Sequence, residues 1–150
     1  MGSMKKATVA FSLTVLALLA LAQAPYPLEI TGLETKDYQG YSKTSFRRGE
    51  IVVIETTIEG APTYYFITPI EYLEIITMWY GNSMMGLLLT KTSITFGETK
   101  TFGGGVGIRF TDPLGTYRIE VYVWNGFPSE MGAQWAPLAE SRATTITVTG

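Results

Sequence analysis

An all-β sandwich is the fold this sequence predicts, and three observations carry the prediction. Past residue 27, apolar side chains recur at every second position. Gly, Pro and Asn break the chain at short intervals. No long helical pattern survives beyond Pro25. Seven to nine short strands separated by turns fit two packed antiparallel sheets, preceded by a hydrophobic N-terminal leader helix.

The leader is the first element. Lys5 and Lys6 form a basic start, and the charge-free run that follows holds Phe11, Leu13, Val15, Leu16, Leu18, Leu19 and Leu21. Small residues then stand at Ala20, Ala22 and Ala24. A basic start, an apolar run and an A-x-A exit describe a secretory signal peptide. Cleavage after Ala24 would leave Pro25 beside the scissile bond, so the expected signal is 1–22 and the expected domain 23–150. This places the protein outside the cell or at its surface, exported by the general secretory route. Two other readings fit the same residues. An uncleaved leader would be a membrane anchor, since Ala7–Ala24 just reaches spanning length. A type IV pilin-like subunit would be cut after Ala7 and keep its helix, although Pro25 and Pro27 stop that helix early.

Leu28 and Ile30 alternate with polar neighbours until Gly32 breaks the phase, the pattern of a bulged strand. Residues 23–33 can pair with their own sheet or serve as a donor strand to a neighbour. Asp37–Arg48 reads as a polar connection. Val52, Ile54, Thr56 and Ile58 share one face of the next strand, which Gly60-Ala61-Pro62 ends. Tyr64–Ile67 is expected as a short strand and Tyr72–Tyr80 as a longer one, followed by a Gly81-Asn82-Ser83 turn. Met84–Thr92 and Ser93–Phe102 follow. Gly103–Gly107 reads as a flexible bend or bulge, and Ile108–Phe110 as a brief strand. Tyr117, Ile119, Val121 and Val123 then alternate with Arg118, Glu120, Tyr122 and Trp124. A loop from Gly126 to Arg142 leads to a final strand, Thr144–Thr149.

Asp112-Pro113-Leu114-Gly115-Thr116-Tyr117 resembles the tyrosine corner of immunoglobulin-like sandwiches, with Tyr117 pinning the turn. Phe46-Arg47-Arg48-Gly49-Glu50, the segment Gly115–Trp124, and the ending from Pro137-Leu138-Ala139 to Thr147-Val148-Thr149 resemble the Ig-like domains of archaeal secreted surface proteins. Those domains build surface layers, stalks and extracellular filaments. The resemblance covers roughly residues 28–150 and implies a structural or adhesive role without catalytic residues.

Composition removes most chemistry. The 150 residues hold no His and no Cys, which excludes imidazole and thiol nucleophiles, disulfides and the usual zinc ligand sets. A net charge of −2, from 11 basic and 13 acidic residues, gives no basic stripe for nucleic acid. The glycines at 103–107 match neither phosphate-binding template. Glu71 with Glu74, and Glu55 with Glu59, are the carboxylate pairs closest to a glycosidase arrangement. Glu55 and Glu59 read as solvated, and Glu71 and Glu74 point to opposite faces of a strand. Calcium would have only Asp37 and Asp112 beside the glutamates. The expectation is therefore no enzyme, no cofactor and no metal.

What remains is apolar surface. Tyr72–Tyr80 is apolar on both faces, whereas a half-exposed strand should alternate. Ile76, Met78, Tyr80, Tyr122 and Trp124 are expected to form an outer patch, with Phe127, Met131 and Trp135 of the following loop beside it. Tyr26, Leu28 and Ile30 of the leading segment complete the expected subunit interface. Either the loop covers this patch or another copy of the chain does, in a self-assembling filament or sheath. The competing reading is a binding module that stacks cell-surface glycans on its aromatic side chains.

Overall fold

The computed structural model describes residues 26–150. The expected leader and the first residues of the leading segment lie outside them. Eight strands form two sheets: β1 (Leu28–Lys36), β2 (Ser45–Arg47), β3 (Ile51–Gly60), β4 (Ile70–Tyr80), β5 (Ser83–Ile94), β6 (Thr99–Gly107), β7 (Gly115–Trp124) and β8 (Arg142–Thr149). The order is β1-β3-β6 in one sheet and β2-β8-β7-β4-β5 in the other. Every pairing is antiparallel except that of β2 with β8, which is parallel. One α-helical turn, α1 (Pro128–Met131), and a 3-10 turn (Gly132–Gln134) lie between β7 and β8.

Alternation decides which side chains meet between the sheets. Val52, Ile54 and Ile58 of β3 face Ile119, Val121 and Val123 of β7, with Tyr72, Ile76 and Met78 of β4 completing the interior. Leu28 and Ile30 enter the same core at 2 % and 3 % exposure. Pairing between β1 and β3 shifts register between Ile30 and Gly32, so the phase break read from the sequence is a bulge. From Leu28 onward the leading segment pairs with β3 within the chain.

Several elements depart from expectation. Tyr64–Ile67 is turn and loop, because Pro62 and Pro69 bracket it and its backbone joins neither sheet. Residues 103–107 are strand, paired residue by residue with Ile51–Glu55 of β3. Their glycines serve packing. A methyl on Gly104 would lie 2.7 Å from Leu88 Cδ1, and one on Gly86 would lie 2.5 Å from Val106 Cγ1. Bare backbone at these two sites lets β5 and β6 close one side of the sandwich. Ile108–Phe110 leaves the strand geometry, and β2 arises within the stretch read as a connection.

The corner before β7 forms as its sequence suggests. Tyr117 is fully buried and its hydroxyl donates to the Pro113 carbonyl at 2.6 Å. Asp112, also buried, accepts from the Arg109 backbone N–H at 2.8 Å and from its guanidinium at 3.2 Å. Arg48 Nε donates to the Asp112 carbonyl at 2.6 Å, tying the β2–β3 turn to the same corner.

Candidate functional site

The five-stranded sheet has an outer face that is largely apolar on β5 and β4 and mixed on β7, where the Arg118–Glu120 ion pair lies opposite Trp79 and Thr77. Residues directly opposite each other on paired strands share a face. On β4 the outer residues are Leu73, Ile75, Thr77 and Trp79. Leu89 and Leu87 of β5 lie opposite Ile75 and Thr77, and Met84 lies opposite Trp79. On the other side, Trp124 lies opposite Leu73, Tyr122 opposite Ile75, and Glu120 opposite Thr77. Leu87, Leu89 and Met84 remain 49 %, 48 % and 48 % exposed, an unusual state for an aliphatic row in the middle of a strand. Thr77 Oγ1 and Trp79 Nε1 are buried on this face without a hydrogen-bond partner.

One end of the face is covered by the chain itself. The loop after β7 folds back so that Trp135 stacks on Trp124, with ring centroids 4.0 Å apart and planes inclined by 23°. Trp135 Nε1 donates to the Gly126 carbonyl at 2.8 Å. Asn125 fastens the loop twice, donating to the Gln134 carbonyl at 2.6 Å and accepting from the Ala136 N–H at 3.0 Å. Lys91 of β5 pairs with Glu130 of α1 at 2.7 Å and lies over the Phe127 ring. The other end, from Ile75 to Met84, has no such cover among the described residues.

The structure corrects the expected interface set. Ile76 and Met78 point inward, at 4 % and 1 % exposure, because the inner face of β4 begins at Tyr72. Tyr80 packs its ring on Tyr117 at 5.2 Å at the end of the core and stays 36 % exposed. Leu28 and Ile30 are core residues, and Tyr26 lines an open cleft of about 530 Å³ between β1 and β8. Tyr122, Trp124 and Trp135 do lie on the outer face. Ile75, Trp79, Leu87 and Leu89 belong there too. The i, i+2 spacing within Tyr72–Tyr80 marks both sets equally, and only the register with β7 tells them apart.

The acidic residues are dispersed. Glu55 pairs with Lys36 at 2.9 Å, and Glu59 accepts from Thr99 Oγ1 at 3.1 Å. Glu74 is buried in the core, where Thr56 Oγ1 donates to it at 2.6 Å; desolvation pushes its carboxyl above the usual carboxylate range. Among the described residues no group of three His, Cys, Asp or Glu side chains stands close enough to hold a metal ion. No helix among them is long and apolar enough to cross a membrane.

No protein-family model and no curated protein sequence matches this chain. Solved structures do. The C-terminal domain of Wzt superposes with a TM-score of 0.63 at 12 % identity, over 83 % of this chain and 75 % of that one. A putative β-galactosidase from Bacteroides fragilis matches with a TM-score of 0.58 at 10 % identity, over 81 % of this chain and 18 % of the enzyme. The β-glucuronidase of Bacteroides uniformis gives 0.56 at 14 % identity, over 80 % and 14 %. This chain therefore spans three quarters of the Wzt domain and less than a fifth of each enzyme. At such identities the likeness is one of fold: a two-sheet β-sandwich of the Ig-like kind.

Proposed function

We propose that this chain is a non-catalytic structural subunit of the cell exterior, which assembles with its own kind by burying the outer face of the five-stranded sheet. The single observation that carries this reading is the exposed aliphatic row of Met84, Leu87 and Leu89, flanked by the half-buried Ile75, Trp79 and Tyr122. Apolar surface of this kind marks contact sites, and its burial contributes about 25 cal/mol per Å². The export signal read in residues 1–22 and the resemblance to surface-protein domains support the location. A two-sheet sandwich of the Ig-like kind suits a load-bearing or adhesive part.

The test is assembly of the purified domain, residues 23–150, by light scattering and negative-stain microscopy. Concentration-dependent oligomers or fibres that dissolve on Leu89→Glu support the reading. A monomer at every concentration defeats it.

A second reading has its own observation. Trp135 is 37 % exposed on top of Trp124, an arrangement suited to stacking a sugar ring. The fold likeness to chains named β-galactosidase and β-glucuronidase fits a module that accompanies glycan chemistry. Oligosaccharide titration monitored by tryptophan fluorescence, with Trp135→Ala as control, decides it: a saturable change lost in the variant supports glycan binding, and a flat response removes it.

A further inference from the structure

β5 ends the five-stranded sheet, and its second edge is unpaired over all 12 residues. Among the described residues, no backbone hydrogen bond outside the β4 ladder reaches Ser83–Ile94. Proteins blunt such an edge with Pro, repeated charge, a bulge or a covering loop. Here the chain does so at one edge of the other sheet. On β1, the Leu28 N–H donates to Leu138, the Thr35 carbonyl accepts from the Lys43 N–H, and the Ile30 carbonyl accepts from Arg142. β5 contains no Pro and one charge, Lys91, which Glu130 already neutralises; its one bulge, at Met85, lies near its start and leaves Gly86–Ile94 in regular register. β6 also ends a sheet, but four glycines leave it few side chains to bury.

We infer that β5 pairs antiparallel with β5 of a second copy across a two-fold axis at Leu88, joining the two five-stranded sheets into one. This rests on the self-assembly reading and names its first contact. Opposed residues in a sheet must share a face, so outer residues of one β5 meet outer residues of the other. An axis at Leu88 sets Leu87 against the second copy's Leu89, and Leu89 against its Leu87. It sets Gly86 against Thr90, and no like charges meet; Met85, the bulged residue, falls outside the regular pairing. An axis at Lys91 would oppose two ammonium groups. Pairing satisfies the orphan backbone groups of both edges and makes the apolar outer faces continuous. Because a two-fold contact is closed, it yields a dimer, and growth beyond that needs the outer face itself.

The experiment compares molar mass by light scattering for the wild-type domain, L87K/L89K and L87K/L89E over one concentration range. Circular dichroism and urea midpoints confirm folding, which substitutions at half-exposed positions should preserve. The wild type should dimerise. L87K/L89K should shift to monomer, because lysines then face lysines across the axis. L87K/L89E should regain the dimer, because each Lys faces a Glu. A wild-type dimer or larger oligomer untouched by L87K/L89K overturns the β5 seam and also the part given to Leu87 and Leu89 in the proposed contact face, whereas an oligomer that L87K/L89K breaks and L87K/L89E does not restore overturns the seam alone. A wild type that is monomeric throughout removes both the seam and the reading beneath it.

Discussion

Thr56 of β3 donates its hydroxyl hydrogen to the Glu74 carboxyl of β4 at 2.6 Å, a hydrogen bond that crosses the interior from one sheet to the other. Glu74 is 1 % exposed and has no cation beside it; desolvation raises its pKa, partly offset by the Thr56 bond. A carboxyl whose folded-state pKa is raised favours folding most fully below its unfolded-state value. That contribution is lost as pH rises through the folded-state value. Between the two, stability should fall by about 1.4 kcal/mol per pH unit. Glu50 acts in the opposite sense. The Arg47 N–H and then the Lys43 ammonium hold its carboxyl below the usual range, so its contribution is lost as pH falls.

Glu74→Gln isolates the buried group. The amide oxygen still accepts from Thr56, and nothing ionises. Urea midpoints measured from about pH 4 to about pH 9 should show the variant gaining on the wild type as pH rises. A difference independent of pH would mean that Glu74 is charged in the fold.

The same substitution at two buried tyrosines should have opposite outcomes. Tyr117→Phe removes the bond to the Pro113 carbonyl and should cost about 1–2 kcal/mol. The Tyr72 hydroxyl is buried without a partner beside Glu74. Tyr72→Phe deletes an unpaid polar group, so it should be neutral or stabilise by up to about 1 kcal/mol. Chemical denaturation of the two variants side by side provides the comparison.

The two-sheet fold was legible because its central strands alternate plainly. Ile119, Val121 and Val123 could face only inward, and Gly32 marked its bulge by breaking phase. The corner was legible because Tyr117 follows Asp112-Pro113 at fixed spacing. The candidate face was legible in kind but not in membership. Tyr72–Tyr80 is apolar on both sides, so period two alone cannot say whether Ile75 or Ile76 is buried. Cross-strand register settles that, and register depends on pairing between residues dozens apart in sequence. The strand at Gly103–Gly107 escapes a local reading for a related reason. Its identity comes from β3 beside it and from Leu88 packed on its backbone, neither of which is a local signal.

That packing makes Gly86 and Val106 a coupled pair. Gly86→Ala places a methyl 2.5 Å from Val106 Cγ1 and should destabilise by about 1–3 kcal/mol. Val106→Ala opens a void and carries its own cost. Combined, the two changes should cost less than their sum, with a coupling of about 0.5–3 kcal/mol. Simple additivity in urea unfolding would show that β5 and β6 yield to the methyl without needing Val106 to shrink.

Trp135 tests whether the loop after β7 belongs to the face or merely crosses it. Its indole stacks on Trp124 at 4.0 Å and its N–H bonds the Gly126 carbonyl at 2.8 Å, so one side chain holds both the ring pair and the loop. Trp135→Ala should lower stability by about 1–2 kcal/mol and abolish the exciton couplet of the stacked indoles in circular dichroism. Trp135→Phe keeps an aromatic plane over Trp124 but loses the N–H bond, and should recover about half of that loss. If the alanine variant unfolds at the wild-type midpoint, the stack contributes no net stability, and the loop lies over the sheet without holding it.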